Sequence, residues 1–167
     1  MARETSGIRK RSDMEWRQDN YLASDDKALL CISEIVALLN ELYQTKDCSP
    51  EKVKKLIENS FCLGLYSNNR LIGFVRIITD KINSSLMKDF IIEEAHRRKD
   101  LGSFLMNCVL VHPDLSQTEM ILGTRDASGF FQKFGFEWDN FMLRDVPQQH
   151  QNRLATKTQP KRILGDF

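Results

Sequence analysis

The sequence predicts an α/β chain of the α+β kind: a mixed, mostly antiparallel twisted sheet with one β-α-β unit and helices on both faces. Three observations carry this. Apolar residues recur at helical spacing through residues 32–57. The period then drops to two across residues 61–92, where two apolar runs flank the compact turn "SNN". Finally, an apolar run ending at Ile92 leads through a basic loop into a second helical pattern and a short strand.

In order, "MEWRQDNYLA" reads as a first strand. "CISEIVALLNELY" places Ile32, Ile35, Val36, Leu39 and Leu42 on one helical face. "CSPEKVKKLIENS" opens a second helix with Ser49 as N-cap and Pro50 at its first position. Its buried stripe is Val53, Leu56 and Ile57. "FCLGLY" and "RLIGFVRIITD" form a hairpin, and "SSLMKDFII" is the next strand. Leu101, Phe104, Leu105 and Cys108 share one face of a third helix, which "HPDL" ends. "TEMILGT" is a short strand. "DASGFFQKFG" is a short helix, with Asp126 as N-cap and Gly135 as its stop. "FEWDNFMLRDV" supplies one or two closing strands. The β-α-β crossover is expected to be right-handed. Residues 1–13 read as a flexible segment, 14–146 as a single domain and 147–167 as a polar tail.

Composition narrows the class. The 167 residues suit one domain with its own core. A net charge of +1 gives no electrostatic footprint for a nucleic-acid partner. No apolar run approaches the about eighteen residues of a membrane span, so no membrane partner is expected. The polar N-terminal stretch carries no secretory pattern. Cys31, Cys48, Cys62 and Cys108 lack paired or zinc-type spacing, which predicts reduced thiols, no metal and a cytoplasmic setting.

The chemistry concentrates in "EEAHRRKDLGSFLM", residues 93–106. A strand that delivers a short loop into a helix N-terminus presents unpaired N–H groups and a partial positive charge to an anion. Arg97, Arg98 and Lys99 add cations, and Gly102 and Ser103 allow close approach. Asp100 is the discordant member. Taken alone, the stretch is either a phosphate cradle or an ordinary charged turn.

Two motifs in order decide between these. "DFIIEEAHRRKDLGSFL" and "TRDASGFFQKFGF", with the lead-in "GLYSNNRLIGFVRIITD", resemble the GNAT-type N-acetyltransferase superfamily over residues 60–146. Residues 25–59 are compatible with that family's two N-terminal helices. The resemblance implies acetyl transfer from acetyl-CoA, as co-substrate, to a primary amine of an unidentified small molecule or peptide by direct attack. It implies that Phe90, Ile91 and Ile92 pair by backbone with the pantetheine arm. It places the pyrophosphate at Arg97, Arg98, Lys99, Asp100, Leu101, Gly102 and Ser103, and puts Ser128 and Phe131 beside the cofactor. It admits a homodimer.

The chain departs from the pattern at three places. Arg98 and Asp100 stand where the family has glycine, and Phe131 where many members have a tyrosine acting as general acid. Asp89 is the candidate base, its alternative being a strand-pairing charge; Glu93 is a weaker candidate. Strand alternation puts Lys88 on the face opposite Asp89. Ser128 has a purely structural alternative as well. Tyr43 and Tyr66 either shape an acceptor pocket or bond to buried backbone. Two further classes stay open: a CoA-binding module with little or no turnover, and a fold used only for protein contact.

Overall fold

The computed structural model describes residues 13–43 and 48–142, apart from the Tyr43 side chain. Two compact units are distinguished, Met1–Gly123 and Thr124–Phe167. Apart from Asp13, the expected terminal segments lie outside the described residues.

The first unit holds a six-stranded sheet in sequential order, β1 to β6. Residues 14–23 form not one strand but a hairpin, β1 (Glu15–Gln18) and β2 (Tyr21–Ser24). The missed signal is "DN": Asp19 adopts φ 50°, a left-handed conformation that Asp tolerates in a tight turn. Helices α1 (Ile32–Tyr43) and α2 (Pro50–Glu58) follow as expected. The Ser49 hydroxyl caps α2 by accepting from the Lys52 N–H. β3 (Phe61–Ser67) and β4 (Arg70–Thr79) form the predicted hairpin, with Asn68 and Asn69 both at positive φ. β5 (Ser84–Ile92), α3 (Leu101–Val111) and β6 (Glu119–Leu122) complete the β-α-β unit. β5 pairs antiparallel with β4 and parallel with β6.

The two sheet faces are covered differently. Ile35, Leu38 and Leu39 of α1 and Val53 and Ile57 of α2 pack on Cys62, Tyr66, Leu71, Phe74 and Ile91. The alternate residues Leu63, Leu65 and Val75 are also fully buried, so the opposite face is covered too. The helix α3, whose Leu101, Leu105, Met106, Cys108 and Val109 are buried, packs against β5. Each such side chain contributes about 1.5–3 kcal/mol relative to exposure.

One buried polar contact ties the N-terminal hairpin to the end of α3. His112 is fully buried against the rings of Trp16 and Phe61. Its Nδ1 accepts from the Asp114 N–H, so Nε2 carries the proton and donates to Asp25 at 2.9 Å. Asp25 also accepts from the Met14 N–H. His112 and Asp25 stand 87 residues apart in the sequence.

In the second unit, α4 spans Ser128–Gln132. Asp126 is not its N-cap. Ala127 occupies that position, and the Thr124 hydroxyl takes the Ala127 N–H instead. A hydroxyl three residues ahead serves the same donor-satisfying purpose, which composition alone did not separate from Asp126. Gly135, at φ 84°, closes the turn as predicted. The expected closing strands are absent from 136–142, and 143–146 lie outside the described residues. Exposed Trp138, Phe141 and Met142 mark this stretch.

Candidate functional site

The site begins where β5 outgrows its neighbour. β6 pairs with β5 only from Ser84 to Met87. At the same level the β4 register shifts: Arg76 opposes Asp89 and Ile77 opposes Met87, leaving Lys88 as a bulge. Beyond it, Asp89 to Ile92 remain paired with β4, but no strand lies along their other edge among the described residues. That edge offers an extended chain a place to add, with the Ile92 carbonyl already accepting from Arg97 Nε. Phe90, half-buried, and Ile91 and Ile92, buried, are the residues of this edge.

β5 delivers the chain to a short 3-10 turn, Glu94–His96, and then to the start of α3. Arg98 and Asp100 both adopt left-handed conformations, φ 58° and 56°. These are the two positions at which the sequence departs from glycine, so the loop keeps a glycine-type path without glycine. The first bond into α3 runs from the Phe104 N–H to the Asp100 carbonyl. The N–H groups of Leu101, Gly102 and Ser103 precede it, and the Asp100 side chain caps none of them. Leu101 is buried and anchors the helix, while Gly102 and Ser103 are half-buried at its mouth. Three backbone donors therefore point out of a helix end, which is what an anion needs.

The three cations divide their work. Arg97 is turned back: its Nε donates to the Ile92 carbonyl at 2.9 Å and its Nη2 to Glu41 of α1 at 2.5 Å. Glu41 also accepts from the Glu94 N–H. Lys99 donates to the Ala95 carbonyl. Arg98 is exposed and makes no ion pair among the described residues. Arg97 thus braces the loop on α1, and Arg98 is the cation left to face a ligand.

Glu93 forms a second brace. Arg70 donates to both of its oxygens, at 2.7 and 2.6 Å, and the His96 ring lies 2.8 Å away. The Arg70 bonds, with a lesser share from His96, hold the Glu93 carboxyl below its ordinary range against the effect of burial. A lowered folded value adds stability above the unfolded Glu range and loses it as pH falls through the folded value. Wild type should therefore lose about 1 kcal/mol or less relative to Glu93→Gln on acidification below about pH 4.3. Melting temperatures from pH 6 to 2.5 check this; parallel curves for the two proteins would refute it.

Asp89 and Lys88 part as alternation required, though through a bulge. Lys88 is exposed and Asp89 is buried. The Asp89 carboxylate takes the Arg76 Nε at 2.5 Å, and Arg76 Nη1 donates to the Ser60 hydroxyl at 3.2 Å. Arg76 is the residue that sequence reasoning missed. Its signal was a lone cation inside the apolar run "GFVRIIT", a position tolerated only with a buried partner. Cys62 stands directly across from Arg76 on β3. Burial pushes its thiol up to about 11, and the Cys108 thiol likewise, so neither is a ready nucleophile. All four cysteines are free.

In the second unit, Ser128 is the first residue of α4 and Phe131 lies in its last turn. Phe131 is buried, packed edge-on to Phe130 and Phe136. Among the described residues no helix is long and apolar enough to cross a membrane.

Comparisons with known proteins agree with this geometry. The family profile described as acetyltransferase (GNAT) domain matches residues 58–138. A solved structure assigned to the GNAT acetyltransferase family, from Xanthomonas campestris, is 29% identical with a TM-score of 0.70, covering 76% of this chain and 94% of that one. A GNAT-family acetyltransferase from Elizabethkingia anophelis, solved with acetyl-CoA bound, is 20% identical with a TM-score of 0.56 over 74% of this chain and 80% of its own. Glucosamine-6-phosphate N-acetyltransferase from Arabidopsis thaliana shares the fold at 14% identity and a TM-score of 0.58, covering 76% of this chain and 98% of that one. No curated protein sequence is significantly similar. The strand-loop-helix from β5 to α3 lies within the matched segment, and residues 58–138 thus carry the pattern of an acetyltransferase (GNAT) domain.

Proposed function

We propose that this chain transfers an acetyl group from acetyl-CoA to a primary amine by direct attack. One observation carries the reading: the stretch of β5 that β6 leaves uncovered is followed, through the loop at 93–100, by the three unclaimed N–H groups at the start of α3. That combination suits a ligand with an amide-rich arm and a diphosphate. Phe90, Ile91 and Ile92 would hold the arm through their backbone. Leu101, Gly102 and Ser103 would hold the diphosphate, with Arg98 outside it. By the sequence resemblance, Ser128 and Phe131 are cofactor residues as well.

The bound thioester supplies an activated acyl carbon. The amine nitrogen forms the amide bond as the C–S bond breaks, CoA leaves as the thiolate, and the nitrogen sheds one proton. Asp89, beside the bulge where the strands part, is the base assigned to that proton. Phe131 has no proton to give, so water protonates the thiolate. Loss of one acid-base group costs about 10²–10⁴ in rate and not all activity. The absent hydroxyl also favours a second reading, a CoA-binding domain with little turnover. The reaction is assigned to the cytoplasm, consistent with free thiols.

Calorimetry with acetyl-CoA tests the shared part: micromolar binding is expected, and nothing tighter than millimolar would remove both readings. A thiol-release assay over an amine panel separates them. Phe131→Tyr should raise turnover by up to about 10² if the missing acid limits the rate. An unchanged rate across pH 6–9 would reject that account of Phe131.

A further inference from the structure

The sheet face that α1 and α2 cover is apolar at Phe74 and Ile91. One row further on it changes character. Cys62, Arg76 and Asp89 stand side by side there on β3, β4 and β5. Beyond them the face opens. Ile78, the next residue on that side of β4, is 46% exposed, and its partner Leu86 is half-buried. The pair of Arg76 and Asp89 thus lies at the end of the covered region, beside the bulge at Lys88 where β6 leaves β5.

A purely structural ion pair is expected to satisfy its own hydrogen-bonding groups, because an unpaired donor held among apolar residues costs stability. This pair does not. Arg76 gives its Nε to Asp89 at 2.5 Å and its Nη1 to the Ser60 hydroxyl at 3.2 Å, and its Nη2 has no partner among the described residues. Nη2 is not sealed in the core either. Among the described residues, the one side-chain polar atom both fully buried and unpartnered is the Tyr66 hydroxyl, which therefore bonds no buried backbone. Ser60 is half-buried, and its hydroxyl, having accepted from Nη1, keeps a proton that no described residue takes. Two donors, one of them on a guanidinium, are left beside a carboxylate.

That set reads a zwitterion. The planar guanidinium and the hydroxyl suit a carboxylate. Asp89 would repel an anion that brought no cation with it, and an amine alone would leave Nη2 unpaired. A ligand with both groups on one carbon satisfies both partners of the pair. The chemistry proposed above already sets the attacking amine at Asp89. We propose that the acceptor is a free α-amino acid, its carboxylate held by Arg76 Nη2 and the Ser60 hydroxyl. The inference rests on the amine-acetylating reading above and names its substrate class. No bond to the carboxylate forms or breaks; holding it fixes the α-nitrogen against the thioester.

The test pairs α-amino acids of varied side chain with their carboxamides as acceptors, with acetyl-CoA as donor. The acids should exceed the amides about 10–100-fold in kcat/KM, as hydrogen bonds to a charged group require. Ser60→Ala should shrink that ratio about 3–10-fold, with the acetyl-CoA KM as in wild type. Arg76→Lys keeps a cation beside Asp89 but loses the fork, and should abolish the preference. Because Arg76 also supports the fold, Ser60→Ala decides alone if that variant does not fold. Equal use of acids and amides, or an equal loss for both in Ser60→Ala, would overturn the subsite. If acetyl-CoA binds but no amine is acetylated, calorimetry of the same acids and amides on the CoA-loaded protein decides. An acid that binds about tenfold tighter than its amide, and loses that margin in Ser60→Ala, keeps the subsite. No binding, or equal binding, removes it. Failure of acetyl-CoA to bind would instead remove the parent reading and this one with it.

Discussion

Replacing Arg76 by methionine should cost about 3–5 kcal/mol of folding stability, the largest effect expected of any single change in the sheet. The Arg76 and Asp89 side chains are 8% and 4% exposed, and lie 2.5 Å apart across β4 and β5. Removing the guanidinium takes the Arg76 Nε from a buried carboxylate and the Arg76 Nη1 from the Ser60 hydroxyl. Urea denaturation reads the loss as a fall in the midpoint at constant slope. The companion variant Arg76→Met with Asp89→Leu should recover most of it, because exchanging a whole buried pair for apolar groups is often neutral. A loss below about 1 kcal/mol in the single variant would mean that the pair is more hydrated than its burial indicates. Asp89→Asn separates structure from chemistry. As the base, Asp89 should cost about 10²–10⁴ in turnover when replaced. Full activity in that variant, at whatever stability, would leave Asp89 a purely structural partner of Arg76.

Arg98→Gly and Asp100→Gly should move stability and cofactor affinity in different combinations. Both residues sit at positive φ, where a Cβ costs roughly 1–2 kcal/mol that glycine escapes at some entropic expense. Arg98→Gly should therefore stabilise by up to about 1 kcal/mol. It should also weaken CoA binding about 2–5-fold, since it removes the cation that faces outward. Asp100→Gly should change stability less, because a carboxylate at a helix N-terminus is itself favourable. It should tighten CoA binding about 2–5-fold by removing a like charge from the diphosphate end. Melting temperatures and calorimetry on the two variants resolve the pattern. Affinity changes of the same sign in both would show that backbone strain, and not charge, governs this loop.

Much of the architecture was legible in the residues. Ser49 and Pro50 announced α2, "SNN" announced the hairpin, and Gly135 announced the end of α4, because each acts through its own backbone. Two of the three misread elements share the complementary reason. "DN" folded a single expected strand into a hairpin, and Ala127 took the cap position assigned to Asp126. In both, several residues offered the same local chemistry, and packing chose among them. The loop at 97–103 was visible as a strand, a basic run and a helix start, and its awkward Asp100 sits at the left-handed position the pattern indicated.

What pairing creates was not legible. Arg97 counted as a ligand cation in the sequence, yet Glu41, 56 residues away, turns it into a brace. Arg76 was unremarked until β5 brought Asp89 opposite it. The bulge at Lys88 and the loss of β6 beyond Met87 come from strand register, which no run of apolar residues records. The sequence by itself determined the order of elements, the loop at 97–103 and the superfamily resemblance, since periodicity, capping and turn chemistry act over a few residues. Tertiary structure decided which charges are spent on one another, which backbone edge stays open and which hydroxyl is left unpaired. Those are balances between groups distant in the chain, and they exist only once the sheet has brought them within a few ångströms.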